Sequence, residues 1–409
     1  MEYVIIGNSA AAVGCVEGIR KQDPDGTITI VSDEPYFTYS RPLISYLLLG
    51  RTDEQHMKYR PEDFYEKNQV KTLLGKRAVS IDPKHKQVVL DDGAVLHYDR
   101  LLVATGSRPF VPPAKGMEQI EHKTTFMSLD DAHALEKALH SDSRVLIVGA
   151  GLIGLKCAEG VAHRVGRLTV VDLAKRILPS ILDEEGAALV QRHIESQGVE
   201  FILGDCVEEY TAHTARLRSG RELEFDVVVI AAGVRPNTEL IAECGGEVER
   251  GIRVDDHCQT SLTDVYAAGD CTLSHDITSG EDRILALLPN AYLQGECAGI
   301  CMAGGECRYD HAIPMNAIGF FGLHMLTAGC YATEAYSEVG DKTYKKLYVD
   351  EGLLKGFILI GEVARAGIYT DLIRKQIPLE TLDFALLAKQ PQLMAFSRTK
   401  RGQMLGGAL

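Results

Sequence analysis

Two glycine turns, each set between an apolar run and a helix-like stretch, constrain this chain more than any other feature. The clearer one lies in "SRVLIVGAGLIGLKCAEG", where the apolar run Val145 to Val148 leads into Gly149-Ala150-Gly151-Leu152-Ile153-Gly154. This is a complete G-x-G-x-x-G: the first glycine makes the turn, the second lets a pyrophosphate approach the backbone, and the third lets helix and strand pack closely. Asp172 ends the next apolar run, 23 residues beyond Gly149, where an acidic group reaches a ribose 2′-hydroxyl. A carboxylate there repels a 2′-phosphate and favours NAD over NADP, although Lys175 and Arg176 close by leave NADP open.

The other turn is in "EYVIIGNSAAAVGCVEG", which puts Gly7, Ser9 and Ala12 in the three glycine places, 142 residues before the second copy. Alanine is an accepted variant at the third place, and the Ser9 hydroxyl can hydrogen-bond a phosphate. Asp33 and Glu34 follow 26 and 27 residues past Gly7, placed for a ribose. Further strands, "TITIVSDE" and "RLTVVDL", follow the two turns, so parallel strands joined by helices predict doubly wound α/β sheets. "KQVVLDDGAVLHYDRLLVATGSRP" predicts antiparallel strands ending in a buried strand and turn, and "RLRSGRELEFDVVVIAAGVRPN" repeats that pattern. The duplication extends beyond the glycines.

Composition narrows the function. The 409 residues call for two or three domains, and 45% apolar with 24% charged residues is a globular balance. A net charge of -14 repels phosphate backbones and argues against nucleic acid as a partner. No basic leader precedes an apolar signal segment, which places the chain in the cytoplasm as an expectation. The greasiest stretches, such as "GFFGLHMLTAG", fall short of the roughly 20 apolar residues of a membrane span.

Ten cysteines contain no C-x-x-C; in the tightest group, Cys297, Cys301 and Cys307, the i, i+4 spacing of the first two puts them on one helix face as core thiols rather than cluster ligands. No G-x-S-x-G, H-E-x-x-H or histidine cluster points to other chemistry, and Asp183-Glu184-Glu185 fits a helix N-terminus better than a metal site. No metal site is expected.

Past "VYAAGDC" one helix is predicted in "LPNAYLQGECAGICMAGG" before the pattern changes near Pro314. "YKKLYVDEGLLKGFILIG" predicts a hairpin, "AGIYTDLIRKQIPLETLDFALLAKQ" a helix broken at Pro378, and "SRTKRGQMLGGAL" a loose tail.

Taken in order, the two fingerprints, "LLVATGSRP", "VVVIAAGVRPNTEL" and "VYAAGDC" resemble the FAD- and NAD(P)-dependent pyridine nucleotide-disulfide oxidoreductase superfamily. "EPYFTYSRPLISYLLLG" is most similar to its rubredoxin reductase and nitrite reductase flavin-domain branch, and the chain also resembles the NADH-linked flavin subunit of phenylglyoxylate dehydrogenase-type complexes. The resemblance runs from Met1 to about Pro314 and is weaker beyond. It implies an α/β fold of two dinucleotide-binding, Rossmann-like domains plus a small α+β C-terminal domain. On that basis, residues 1–113 and 246–314 would bind FAD, 114–245 NAD, and 315–409 would form an interface domain.

The same resemblance assigns roles by position. Gly7, Ser9 and Ala12 would face the FAD pyrophosphate, Asp33 or Glu34 its adenosine ribose, and Arg41 and Pro42 would lie beside the cofactor. Thr105 and Gly106 match a turn that touches FAD, and Asp270 matches the aspartate that bonds the ribityl chain. Asn290 and Ala291 match a helix start aimed at the flavin pyrimidine edge. Gly149, Gly151, Gly154 and Asp172 would bind NAD.

Two departures bear on the chemistry. Residues 36–50 contain no cysteine where disulfide-reducing members carry one, so disulfide reduction by the usual route is disfavoured. Tyr46 and Lys156 stand where the branch commonly has a lysine and a glutamate near the reactive flavin nitrogen. Lys156 either stabilises the reduced flavin anion, with Tyr46 at the partner place, or pairs with Glu159 on the helix surface. The resemblance implies an NAD(P)H-dependent FAD oxidoreductase whose electrons go to an iron-sulfur protein or a partner subunit, in a homodimer or a hetero-oligomeric complex. An NADH oxidase reducing oxygen and a flavin-dependent interaction module are the alternatives.

Overall fold

The computed structural model describes residues 1–404 and divides them into two compact units. Met1–Lys175, Gly198–His275 and Asp282–Asp310 form the first; Arg176–Gln197, Asp276–Glu281 and the chain from His311 form the second.

The first unit holds two five-stranded parallel sheets. One runs Val265–Ala267, Arg100–Val103, Glu2–Ile6, Thr27–Ser32, Val70–Leu74. The other runs Lys123–Thr125, Val227–Ile230, Arg144–Val148, Arg167–Asp172, Val199–Leu203. Four strands follow the same order in both, with the fingerprint strand central; the remaining edge strand comes last in the chain in the first sheet and first in the second. Registers match as well, with Ile5 opposite Ile30 and Leu102, and Ile147 opposite Val170 and Val229. The inner strands, with VLIV at Val145–Val148 and VVVI at Val227–Ile230, are continuous apolar runs because both faces are covered, whereas the edge strand Lys123–Thr125 is polar and only partly buried.

A three-stranded antiparallel sheet accompanies each parallel one: Ala78–Asp82, Gln87–Leu90 and Val95–His97, then Val207–Tyr210, Thr214–Leu217 and Glu222–Glu224. Each packs on its own parallel sheet, Val88 and Leu90 against Val4 and Leu101, and Ala215 and Leu217 against Leu146 and Val228. Ser107–Pro109 and Val234–Pro236, the two "RP" stretches, pair antiparallel with Arg108 opposite Arg235.

The second unit carries an antiparallel sheet ordered Met315–Phe320, Leu323–Gly329, Leu353–Ile360, Tyr344–Asp350, Thr333–Val339. The expected hairpin turns at Glu351 and Gly352, with φ of 50° and 73°. Phe357 and Leu347 pack with Tyr369 and Leu372 of the helix Gly367–Arg374 and with Leu387 of Phe384–Lys389. The first of these helices stops at Arg374, before Pro378, where Gln376 turns to φ 47°.

Asp183 caps the helix Glu184–Glu195 by accepting the Gly186 amide at 2.9 Å, as its acidic run predicts. It also accepts the Tyr344 hydroxyl at 2.5 Å and pairs with Lys346 at 2.9 Å, which ties that helix to the sheet. The tail expected to be loose is instead helical over Arg398–Met404, since its lysine and arginines are adequate helix formers; residues 405–409 lie outside those described. Among the described residues no helix is long and apolar enough to cross a membrane.

Candidate functional site

The candidate residues stand where a doubly wound sheet binds ligands, outside the carboxyl ends of its strands. In the first sheet Gly7 follows Glu2–Ile6, Asp33 follows Thr27–Ser32, Thr105 follows Arg100–Val103, and Asp270 follows Val265–Ala267. In the second, Gly149 follows Arg144–Val148 and Asp172 ends Arg167–Asp172.

The two fingerprints share one geometry. Gly7 and Gly149 have φ of 112° and 120°, and a Cβ at either would stand 2.1 or 2.2 Å from the carbonyl oxygen of Ala104 or Ala231. Their amides donate to Val31 and Val171 at 2.8 Å each. A Cβ at Gly154 would meet the Gly149 oxygen at 2.0 Å, which accounts for the third glycine, while at Gly151 it would meet nothing within 4 Å. Gly151 therefore leaves open space where the backbone amides of the helix Leu152–Val161 begin.

At the equivalent place Ser9 is the N-cap of Ala10–Gln22, and its hydroxyl makes no capping bond. Neither helix has an acidic residue in its first turn to neutralise its positive end. Open space, free-facing helix ends and left-handed turns fit two dinucleotide pyrophosphates.

The flanking acids are differently engaged. Asp172 accepts the amides of Ala150 at 2.6 Å and Ala174 at 2.7 Å, which fixes its carboxylate over the fingerprint turn. Asp33 is exposed. Glu34 and Arg41, both expected to face cofactor, are ion-paired with each other, and Glu34 also accepts the Tyr39 hydroxyl at 2.8 Å. Burial pulls the Arg41 pKa down, but Tyr39 and Glu34 outweigh it, and the guanidinium stays firmly charged. Pro42 sits in the short 3-10 turn Arg41–Leu43.

Thr105 donates its hydroxyl to the Asn237 carbonyl at 2.7 Å, and Asn237 returns its side-chain amide to Thr105 O at 2.9 Å. Gly106, at φ 62°, again has open space around it. Asn237 was visible only as part of "GVRPN", whose spacing gives no sign that it locks the first "TG" turn.

Asp270 is half-buried and accepts the Ser107 hydroxyl at 3.3 Å; burial pushes its carboxyl up against the pull of Ser107 and Arg41. Gln294, 2% exposed, accepts the Gly269 amide at 2.8 Å and the Thr272 hydroxyl at 3.0 Å, pinning the turn that presents Asp270. A Cβ at Gly269 would stand 3.3 Å from that of Ala11 and 3.6 Å from that of Ala291, so Asp270's turn meets both helix starts. Asn290 is buried, and the Ala291 amide already closes the first helical turn on Leu287 at 2.9 Å.

The helices Ala10–Gln22 and Leu288–Met302 meet backbone to backbone. A Cβ at Gly14 or Gly18 would stand 2.2 or 2.3 Å from the carbonyl oxygens of Tyr292 or Glu296, and one at Gly295 or Gly299 2.0 or 2.2 Å from those of Ala11 or Cys15. These four glycines set the distance between the fingerprint and Asn290. Their i, i+4 spacing in "GCVEG" and "GECAG" was the only signal in the sequence, and it does not name the partner.

Lys156 and Tyr46 come together, with the Nζ 4.5 Å from the ring centroid. Lys156 also pairs with Glu159, and the two side chains are only 12% and 5% exposed. The pair expected on the helix surface is thus interior, because this side of Leu152–Val161 packs against Ile44–Leu48, where Gly160 lies beside Leu48.

A cavity of about 370 Å³ lined by Arg144, Arg167, Arg221 and Glu224 opens at the starts of the second sheet's strands. Its arginines are held by Glu224, Asp226 and Glu200, and it faces away from the fingerprint. Among the described residues no group of three or more His, Cys, Asp or Glu is arranged to hold a metal ion.

Two parallel sheets with duplicate nucleotide turns, joined to a smaller α+β unit, define an FAD- and NAD(H)-binding oxidoreductase. Residues 1–295 match the family described as pyridine nucleotide-disulphide oxidoreductase, and the chain belongs to it. It is 29% identical to the NADH-dependent phenylglyoxylate dehydrogenase subunit epsilon of Aromatoleum evansii over 93% of both chains. It is 31% identical to a rubredoxin-NAD(+) reductase of Pseudomonas putida over 74% of this chain and 80% of that one.

The fold is that of putidaredoxin reductase in its covalent complex with putidaredoxin, with a TM-score of 0.88 at 23% identity over 96% of this chain and 97% of that one. The chain spans about half the length of the nitrite reductases it matches, at 49% of the one from Bacillus subtilis. The chain is a flavin oxidoreductase that uses NAD(P)H and transfers electrons.

Proposed function

We propose that the chain is an NADH:acceptor oxidoreductase whose electrons pass to an iron-sulfur protein or a partner subunit without a redox disulfide. The observation that carries this reading is the duplicated turn: one unit presents two cradles of the same glycine geometry. Bound FAD would supply the acceptance of a hydride as an electron pair and its release singly or together.

In this reading residues 1–113 and 246–314 hold FAD, 114–245 hold NAD, and 315–409 form the interface domain. Amides after Gly7 and the Ser9 hydroxyl take the FAD pyrophosphate, with Ala12 packing beneath. Asp33 is the better ribose ligand, since Glu34 is engaged by Arg41 and Tyr39. Arg41 with Pro42, Thr105 with Gly106, and Asn290 with Ala291 line the cofactor, and Asp270 accepts from the ribityl chain.

Gly149, Gly151 and Gly154 take the NAD pyrophosphate, and Asp172 favours NAD over NADP. Lys156, held between Glu159 and the Tyr46 face, supplies positive charge to the reacting face, where reduction adds negative charge. The absence of cysteine from residues 36–50 and the names of the relatives support a protein acceptor.

The test is anaerobic addition of NADH to the FAD-loaded protein, which should bleach the flavin absorbance; an unchanged oxidised spectrum would overturn the reading. Turnover with added rubredoxin or ferredoxin should then exceed turnover with oxygen alone.

A further inference from the structure

Residues 36–41, which follow the strand Thr27–Ser32 of the first sheet, grip the turn that follows the strand Lys123–Thr125 of the second. Both segments leave their strands at the carboxyl ends, the edges that carry the two candidate cradles. Tyr36 donates its hydroxyl to Asp130 at 2.5 Å, the Leu129 amide donates to the Tyr39 hydroxyl at 3.0 Å, and Arg41 donates to the Met127 carbonyl at 3.2 Å. Three side chains from one half thus hold residues 127–130 of the other.

The gripped turn is itself rigid. Asp131 accepts the amides of Met127 at 2.8 Å and Ser128 at 3.0 Å and the Thr125 hydroxyl at 3.0 Å, and Ser128 caps the helix Leu129–Ala138. The gripping loop is anchored in turn to the first fingerprint, where Asn8 donates its side-chain amide to the Tyr36 carbonyl at 3.3 Å. Asn8 also accepts the Tyr65 hydroxyl at 2.8 Å, and that hydroxyl accepts the Thr38 amide at 3.1 Å. Hydrogen bonds therefore run without a break from the first fingerprint to a strand end of the second sheet.

Tyr39 is the centre of this set. It is 9% exposed, and its hydroxyl donates to Glu34 at 2.8 Å while accepting from Leu129 at 3.0 Å and from Arg41 at 3.3 Å. One donor and two acceptor sites are all that a phenol has, so the hydroxyl is fully used. Burial pushes its pKa up, and it keeps the proton that it gives to Glu34.

We propose that Tyr39 is a positioning residue for hydride transfer, its hydroxyl holding the loop of the first half against the second sheet so that the two cradles face each other at a fixed distance. The inference rests on the assignment of FAD to the first cradle and NADH to the second. NADH gives up a proton with two electrons to the flavin and leaves as NAD+. Such a step needs reacting atoms about 3–3.5 Å apart, and a misplacement of about 1 Å costs about 10²-fold in rate. Tyr39→Phe keeps the ring, with the Arg41 guanidinium 5.3 Å from its centroid, but deprives the Leu129 amide of its acceptor.

The FAD-loaded proteins are mixed anaerobically with rising NADH in a stopped-flow spectrometer, which separates the limiting rate of flavin bleaching from the Kd of NADH. In Tyr39→Phe the limiting rate should fall at least about tenfold, with Kd and flavin content within about twofold of the unchanged protein. Dithionite, which needs no nicotinamide site, should bleach both equally fast. In protein freed of FAD, hydrogen exchange of a peptide covering residues 127–130 should quicken in Tyr39→Phe, while a peptide covering the second fingerprint keeps its protection. Tyr36→Phe loses only the outer bond to Asp130; it should slow the same step to a smaller extent, and it carries the test if Tyr39→Phe does not fold. An undiminished limiting rate, a loss confined to Kd, slowing matched by loss of flavin, or unchanged exchange at residues 127–130 would each overturn the proposal. Failure of NADH to bleach the unchanged protein would instead overturn the functional reading beneath it.

Discussion

At the scale of single residues, the Lys156–Glu159 pair and Asp270 are the groups whose environments differ most from what spacing suggests. Removing one partner of a buried ion pair costs about 3–5 kcal/mol because the other charge is left uncompensated. Lys156→Met should therefore lower the melting temperature markedly, and Lys156→Met with Glu159→Leu should recover most of the loss; an additive double variant would show that the two do not couple. Asp270 works against stability. Its carboxyl is raised by burial, so its unfavourable contribution is absent below the ordinary carboxylate range and grows as pH rises through the folded value. In protein freed of FAD, Asp270→Asn should be the more stable at neutral pH, and the gap should close on acidification. FAD affinity should move the other way, falling about 10- to 100-fold for the lost charged hydrogen bond of about 1.5–3 kcal/mol. Equilibrium dialysis and thermal melts from pH 4 to 8 measure both, and a variant weaker in both respects would remove Asp270 from the site. Asp270 itself was legible from "AAGDC", because a short motif fixes a turn. Its dependence on Gln294, 24 residues later, was not, because only the folded turn brings that side chain to Gly269.

Between elements, the contact that positions the candidate FAD cradle is the glycine interlock of Ala10–Gln22 with Leu288–Met302. A methyl group at Gly299 would stand 2.2 Å from a backbone oxygen, and no rotamer relieves a clash with a carbonyl. Gly299→Ala should cost at least about 3 kcal/mol, at the upper end of overpacking, although alanine is the better helix former. It should also weaken FAD retention by parting the two helix starts, whereas Gly50→Ala, in open space at a left-handed turn, should leave FAD binding unchanged. Cofactor-to-protein absorbance ratios after gel filtration would settle this, and full retention in Gly299→Ala would mean the helices can separate without opening the site. The strands and fingerprint turns were readable because period and turn chemistry are local. The interlock and the Glu34–Arg41 pair depend on which surfaces meet, and no spacing within one segment encodes that. The tail failed for the opposite reason: its basic composition hid adequate helix formers.

For the whole molecule, the acidic balance bears most directly on the acceptor. A net charge of -14 acts over a Debye length of about 30 Å at 0.01 M salt and about 8 Å at 0.15 M. A docking protein senses that field during approach, whereas dissolved oxygen is uncharged and does not. If the protein is first reduced with NADH and then mixed with acceptor, the charge of NADH itself drops out of the measurement. Reoxidation by a protein acceptor should then change several-fold across that salt range, and reoxidation by oxygen should stay nearly flat. The sign reports the partner: rates that rise with salt indicate an acidic acceptor held off by repulsion, and rates that fall indicate a basic one drawn in. A flat response with every iron-sulfur acceptor tried, alongside fast reoxidation by oxygen, would shift the assignment to an oxidase. The proposed NADH half would be untouched by that result, since the reading of the second fingerprint and Asp172 as its cradle does not depend on the acceptor.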